Sequence, residues 1–131
     1  MLKRLLMMNF EDNTEAYLTK DMCAYPYYLG KDHGWSCTYA YFTNGNPLKN
    51  AQFEQYCALK CLGKADDYKK QRKIAAEYLR QHVKELDVLC CFNYGGASYS
   101  LPRLAKRLNP AIKTYIKLDM NESGFSHFYD G

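Results

Sequence analysis

Residues 87–98 read Asp87-Val88-Leu89-Cys90-Cys91-Phe92-Asn93-Tyr94-Gly95-Gly96-Ala97-Ser98. One acid opens a continuous apolar run, and the run ends in turn chemistry. A segment that is apolar at every position has no solvent face. It reads as a strand buried on both sides, as in a parallel sheet covered by helices. Gly95 and Gly96 let the backbone turn sharply or approach a ligand. Two more segments have the same form. Leu2–Met8 leads into the polar run Asn9–Thr14, and Ile112–Leu118 leads into Asp119-Met120-Asn121-Glu122. In an open parallel sheet, the loops at the carboxyl ends of the strands converge on one edge, where such folds place ligands.

Between these strands lie helical patterns and two further strands. Asn13 or Thr14 can cap a helix from about Glu15, with Leu18, Met22, Tyr25 and Leu29 at helical spacing and Pro26 expected to kink or divide it. Gly34 suits its left-handed end. Ser36–Phe42 is rich in β-compatible residues and reads as the second strand, with Asn44-Gly45-Asn46-Pro47 as a turn and Gln55–Leu62 as the third strand. Asp66 and Asp67 open the longest helix, whose inward face is Gln71, Ala75, Tyr78, Leu79, His82, Val83 and Leu86. His82 on that face reads as structural. Ser98 is expected to cap the next helix, with Pro102 in its first turn and Leu101, Leu104, Ala105 and Leu108 inward. The order β-α-β-β-α-β-α-β predicts an α/β, Rossmann-like open parallel sheet of five strands in the order 3-2-1-4-5, with helices on both faces. The 131 residues suit one domain, 1–131.

Composition narrows the class. The net charge of +4 is modest. Most of the cations on the two later helices read as solvated faces, with weak attraction to an anionic membrane or to phosphate-bearing substrates as the functional alternative. No basic motif interleaved with aromatics argues for nucleic acid. The six cysteines include no CxxC pair, and Cys57 and Cys61 lie four apart in a strand, so no zinc spacing is present. They read as reduced, buried thiols of a cytosolic protein, with Cys90 and Cys91 on opposite faces of one strand. The 13 tyrosines against one tryptophan suit the margin of a core, with some left for a sugar-stacking or lipid-facing surface.

The first loop carries Asn9-Phe10-Glu11-Asp12-Asn13 rather than GxGxxG, which argues against a dinucleotide. GxxxxGK[ST] and GxSxG are absent too, so no cofactor and no metal are expected. After the fifth strand, Asp119, Asn121, Glu122, Ser126 and His127 offer hydrogen-bonding groups suited to hydroxyl-rich ligands, and a carboxylate with a His can do acid–base work. Asn9, Asp12, Asn93, Tyr94, Asp119, Glu122 and His127 are expected around one cleft, because they follow strands one, four and five.

The segments LLMMNFEDNTEAYLTKD, YPYYLGKDHGW, DVLCCFNYGG and IKTYIKLDMNE together resemble the N-terminal half of GT-B-fold glycosyltransferases, in the retaining, glycogen-synthase-like group that builds bacterial surface polysaccharides. The resemblance covers almost the whole chain. It implies a Rossmann-like domain that binds a sugar or lipid-linked saccharide acceptor, with Asn9, Asp12, Asn93, Tyr94, Asp119 and Glu122 as acceptor-side residues. His127 is the position matching a family His near the donor sugar; it is not assigned as a catalytic base. The paired acidic motif and the donor-binding domain of the family are not found in this sequence, and the Gly-Gly pair common in the first loop is missing. The chain therefore resembles a truncated acceptor half, inactive alone, that would need a donor-binding domain or partner chain. The resemblance implies a cytoplasmic place with weak peripheral association at the inner face of the membrane. The competing readings are a stand-alone flavodoxin-like binding or regulatory module, and a small enzyme using Asp119, Glu122 and His127 directly.

Overall fold

A computed structural model of the protein describes residues 2–92 and 96–117. Five parallel strands form one sheet in the order β3-β2-β1-β4-β5, as expected. They are β1 (Arg4–Asp12), β2 (Ser36–Phe42), β3 (Cys57–Gly63), β4 (Val88–Phe92) and β5 (Lys113–Lys117). The helices are α1 (Asp21–His33), α2 (Ala51–Glu54), α3 (Tyr68–His82) and α4 (Gly96–Leu108), with 3₁₀ turns at Glu15–Thr19 and Val83–Glu85.

The apolar runs explain the layering. In β1, Leu5 and Met7 face one side and Leu6, Met8 and Phe10 the other, by the period-2 geometry of a strand. The first side packs with Tyr39, Tyr41 and Phe92 against Met22 and Cys23 of α1 and Phe53 of α2. The second packs with Phe42, Leu89 and Cys91 against Ala75 and Leu79 of α3 and Leu101, Leu104 and Ala105 of α4. All five residues of β4 are buried. Cys90 and Cys91 do fall on opposite faces. Right-handed crossovers place α1 and α2 on one face and α3 and α4 on the other once the chain steps from β3 back to β4.

Several boundaries differ from expectation, each for a local reason. The first helix is not divided at Pro26, which lies inside α1 and is buried. The break comes earlier, at Lys20, whose extended backbone (φ −91, ψ 168) separates the 3₁₀ turn from α1. That break re-phases the helix. Met22, Cys23 and Pro26 turn inward, and Tyr25, expected on the buried stripe, is 56% exposed. A short helix, α2, sits where only turn chemistry was read. Its cap is reciprocal: Asn50 accepts from the Phe53 N–H at 3.0 Å, and Glu54 accepts from the Asn50 N–H at 3.1 Å. The third strand starts two residues later than expected. The α4 helix starts at Gly96, ahead of Ser98, so Pro102 lies beyond its first turn. Leu108, at its last position, is exposed, and Ile116 of β5 is only partly buried.

Two glycines carry geometry that a side chain would spoil. Gly34 closes α1 in the left-handed region (φ 69). Gly30 lets α1 approach the turn before β3 so closely that a Cβ would stand 2.0 Å from the Tyr56 carbonyl oxygen.

All six cysteines are free, and five of them are buried. Burial pushes the Cys23 thiol up to about 12 and the Cys37 thiol up to about 11, and it raises Cys57 and Cys91 as well. These thiols stay protonated in the fold while an unfolded chain ionises near the ordinary value of 9.0. Above that value the unfolded state holds fewer protons, so stability falls as pH rises. Denaturation monitored by circular dichroism should show a steady midpoint up to about pH 9 and a clear fall toward pH 11. Thiol titration should find six groups in denaturant and slow reaction in the folded protein. Recovery of an intramolecular disulfide from freshly thiol-blocked protein, or a midpoint that rises over this range, would contradict the account.

Candidate functional site

The topology reverses between β1 and β4: the chain moves from β1 outward to β3, then returns to the other side of β1. In open α/β sheets the crevice at such a switch point, outside the carboxyl ends of the strands, is the default place for a ligand. Here it lies where β1 and β4 end side by side, at Asp12 and Phe92.

The β1 loop is shaped by a bulge. Pairing with β2 runs regularly to Asn9–Tyr41 and then skips to Asp12–Phe42. The Asn9 side chain holds the bulge. Its Oδ1 accepts from the Glu11 N–H at 3.0 Å, and its Nδ2 donates to the Tyr39 hydroxyl at 2.9 Å. That hydroxyl in turn donates to Asn13 Oδ1, and Asn13 Nδ2 donates to the Glu11 carbonyl at 2.9 Å. Asn9 is 0% and Asn13 1% exposed. Each of these polar groups has a partner in an interior where an unpaired one is costly. Burial raises the Tyr39 hydroxyl well above its usual range, so it stays a neutral donor.

Around this buried knot lies a more open ring. Tyr17 donates to Glu11 Oε2 at 2.6 Å, Thr43 Oγ1 donates to the Asn13 carbonyl at 2.7 Å, and Asp12 Oδ1 accepts from the Asn44 N–H at 2.8 Å. Asn44 also exchanges bonds with the backbone of Ala65, at 3.2 and 3.0 Å, which ties the β2 and β3 exits together. Gln71 of α3 reaches the Phe10 carbonyl at 2.8 Å from the opposite face. Asp12, Thr14 and Asn44 are exposed, so the rim presents carboxylate, hydroxyl and amide groups to solvent.

Among the sequence-derived site residues, Asp12 stands on this rim. Asn9 lies beneath it, with both ends of its amide engaged by the protein. Asn93, Tyr94, Asp119, Glu122 and His127 lie outside the described residues. His33 and His82 end α1 and α3, which return the chain to the opposite edge of the sheet. The His82 ring meets that of Tyr78 at a tilt of 41°, with centroids 4.3 Å apart. Glu11, Asn13, Tyr17, Tyr39, Thr43 and Asn44 were not read as site residues in the sequence, where Asn13 stood only as a candidate cap and Asn44 as part of a turn. The hydrogen bond from Tyr39 to two asparagines is a tertiary fact, whereas the run Asn9–Thr14 is visible as a polar exit.

The exit of β1 lacks the features of a phosphate cradle. The first regular helix does not begin at the end of β1. A 3₁₀ turn and the extended Lys20 intervene, so the α1 N-terminus is set back from the strand end by the segment 13–20. The arrangement of glycines and helix end that receives a pyrophosphate is therefore not formed there. Comparison with family models, with curated proteins and with solved structures gives no match.

Removing the Tyr39 hydroxyl should expose the importance of the knot. Tyr39→Phe leaves Asn9 Nδ2 and Asn13 Oδ1 without partners and should cost about 2 kcal/mol in chemical denaturation. Asp12→Ala, on the exposed rim, should cost no more than about 0.5 kcal/mol. Equal effects of the two changes would contradict this division between support and rim.

Proposed function

We propose that this chain supplies the acceptor-binding, Rossmann-like domain of a retaining sugar transferase of surface-polysaccharide or glycoconjugate assembly. It would act in the cytoplasm and work with a donor-binding domain in the same or another polypeptide. The observation that carries the reading is the switch-point rim. It offers short polar side chains suited to hydroxyl groups, and at the exit of β1 no helix end or glycine cradle stands ready for a nucleotide phosphate. The motif resemblance points to the same division of labour. No helix among the described residues is long and apolar enough to cross a membrane.

In this reading the residues of the chain position an acceptor rather than perform bond chemistry. Asp12, Thr14 and Asn44 would orient its hydroxyls, joined by Asn93, Tyr94, Asp119 and Glu122 from the neighbouring loops. Placing one hydroxyl toward a donor held by the second domain is the catalytic contribution available to such a half. Leaving-group charge would be stabilised by the donor-binding partner.

Calorimetric titration with uridine and guanosine diphosphates and their sugars, beside a radiolabelled transfer assay, tests this reading. The chain alone should transfer no sugar and show no nucleotide binding tighter than about 100 μM. Low-micromolar binding, near −8 kcal/mol, would overturn the acceptor-half reading and favour an independent nucleotide-binding module.

A further inference from the structure

The α1 side of the sheet is covered unequally. On this side α1 packs on β1, β2 and β3, and α2 packs on β3, whereas α4 packs on β4 and β5 from the other face. Toward α1, β4 presents Val88 and Cys90, and their register partners in β5, Lys113 and Tyr115, stand on the same side. A groove of 490 Å³ runs here between α1 and β5. Leu5, Met7, Val88 and Cys90 form its floor, and Tyr25 and Leu29 of α1 face Tyr115 across it. Tyr25 and Tyr115 are each 56% exposed. Exposed aromatics on both walls of an apolar trough mark a surface that takes a partner.

One end of the groove is charged. Lys3, Trp35, Asp87 and Lys113 line it, each at or just before the start of a strand. Lys3 Nζ lies 5.5 Å from the centre of the Trp35 ring. Asp87 Oδ2 accepts from the Arg4 N–H at 2.8 Å, so the acid is partly engaged by backbone and the two lysines dominate this end. Past β5 the sequence continues through residues 118–131, LDMNESGFSHFYDG, which lie outside the described residues. This stretch holds the acids Asp119, Glu122 and Asp130, no Lys or Arg, and the aromatics Phe125, Phe128 and Tyr129. Its character is the complement of the groove, apolar rings for the trough and negative charge for the lysines.

We infer that the groove is the docking site of residues 118–131 of the same chain, with Phe125 and Phe128 seated between Tyr25 and Tyr115 and Asp130 brought toward Lys3 and Lys113. The reach is sufficient. Tyr115 and Ile116, which line the groove, lie within three residues of the start of the stretch. Phe125 follows Lys117 by eight residues. Eight residues span up to about 26 Å, against about 17 Å for the length of β5, so the chain can turn at the strand end and return along the groove. Tethering decides between this occupant and a second copy. A short connection holds the stretch near the groove at an effective concentration on the order of millimolar, well above that of another molecule at micromolar protein. The same path takes His127, between the two rings, toward the amino ends of the strands and away from the rim at Asp12. The inference does not depend on the acceptor reading, and its test contains no saccharide.

The test uses the full chain, isotopically labelled. Nuclear Overhauser contacts should join the Phe125 and Phe128 rings to the side chains of Met7, Leu29 and Tyr115. An isotope-filtered mixture of labelled and unlabelled chains should show that these contacts arise within one molecule. Trp35, the single tryptophan of the chain, supplies a second readout at the groove. Phe125→Ser combined with Phe128→Ser should shift its emission to the red and raise its quenching by acrylamide. Ser123→Ala combined with Ser126→Ala, in the same stretch, should change neither. Circular dichroism verifies that both variants fold. Absence of the ring contacts, contacts found only between molecules, or a Trp35 signal that responds equally to the two variants would each overturn the proposal.

Discussion

The two-sided burial of β1 is the constraint on which the rest of the structure depends. Leu5 to Phe10 are all buried, and the strand alternates between the two cores, with β2 and β4 alternating beside it. A strand with no solvent face must have neighbours on both edges and cover on both sides. That requirement places β2 and β4 beside it, sends α1 over one face, and brings α3 and α4 to the other. The same position puts the exit of β1 at the point where the topology reverses. The candidate ligand edge is therefore a consequence of the core rather than a separate construction.

The exit is rigid because it is knotted below its surface. Asn9 and Asn13 meet at the Tyr39 hydroxyl, and their amides also hold the bulge backbone. A network in which each member is partnered fixes a loop more firmly than apolar packing alone, since any slip leaves a buried polar group unpaired. Asp12, Thr14 and Asn44 then stand on a fixed base. Preorganisation of this kind lowers the entropic cost of orienting a ligand.

Much of the architecture was legible in the sequence, because it follows from unbroken apolar runs. Val88–Phe92 and Leu5–Met8 admit one environment, and the crossover rule then limits strand order. Local departures were less legible. The break at Lys20 and the inclusion of Pro26 in α1 depend on how the helix seats against Tyr39 and Phe53, which no local window contains. The short α2 could have been read from Asn50 and Glu54, whose spacing suits a cap. At the site, Asp12 was recognised by its place after a strand. Asn9 was grouped with it by sequence position, but strand alternation turns its side chain inward, and a bulge of this type is decided by a partner thirty residues away. Tyr39 reads in sequence as an ordinary strand aromatic.

The central claim is that the rim between the exits of β1 and β4 receives a hydroxyl-rich ligand. Backbone amide shift mapping of the isotopically labelled chain during titration with a panel of short oligosaccharides tests it most directly. The account predicts that a binding saccharide moves the amides of Asp12, Thr14, Asn44 and Gly96 together, while those of Trp35, Val88 and Tyr115 stay in place. The latter three line a 490 Å³ groove between α1 and the β5 edge. Shifts confined to that groove, or no saccharide response at the rim, would contradict it.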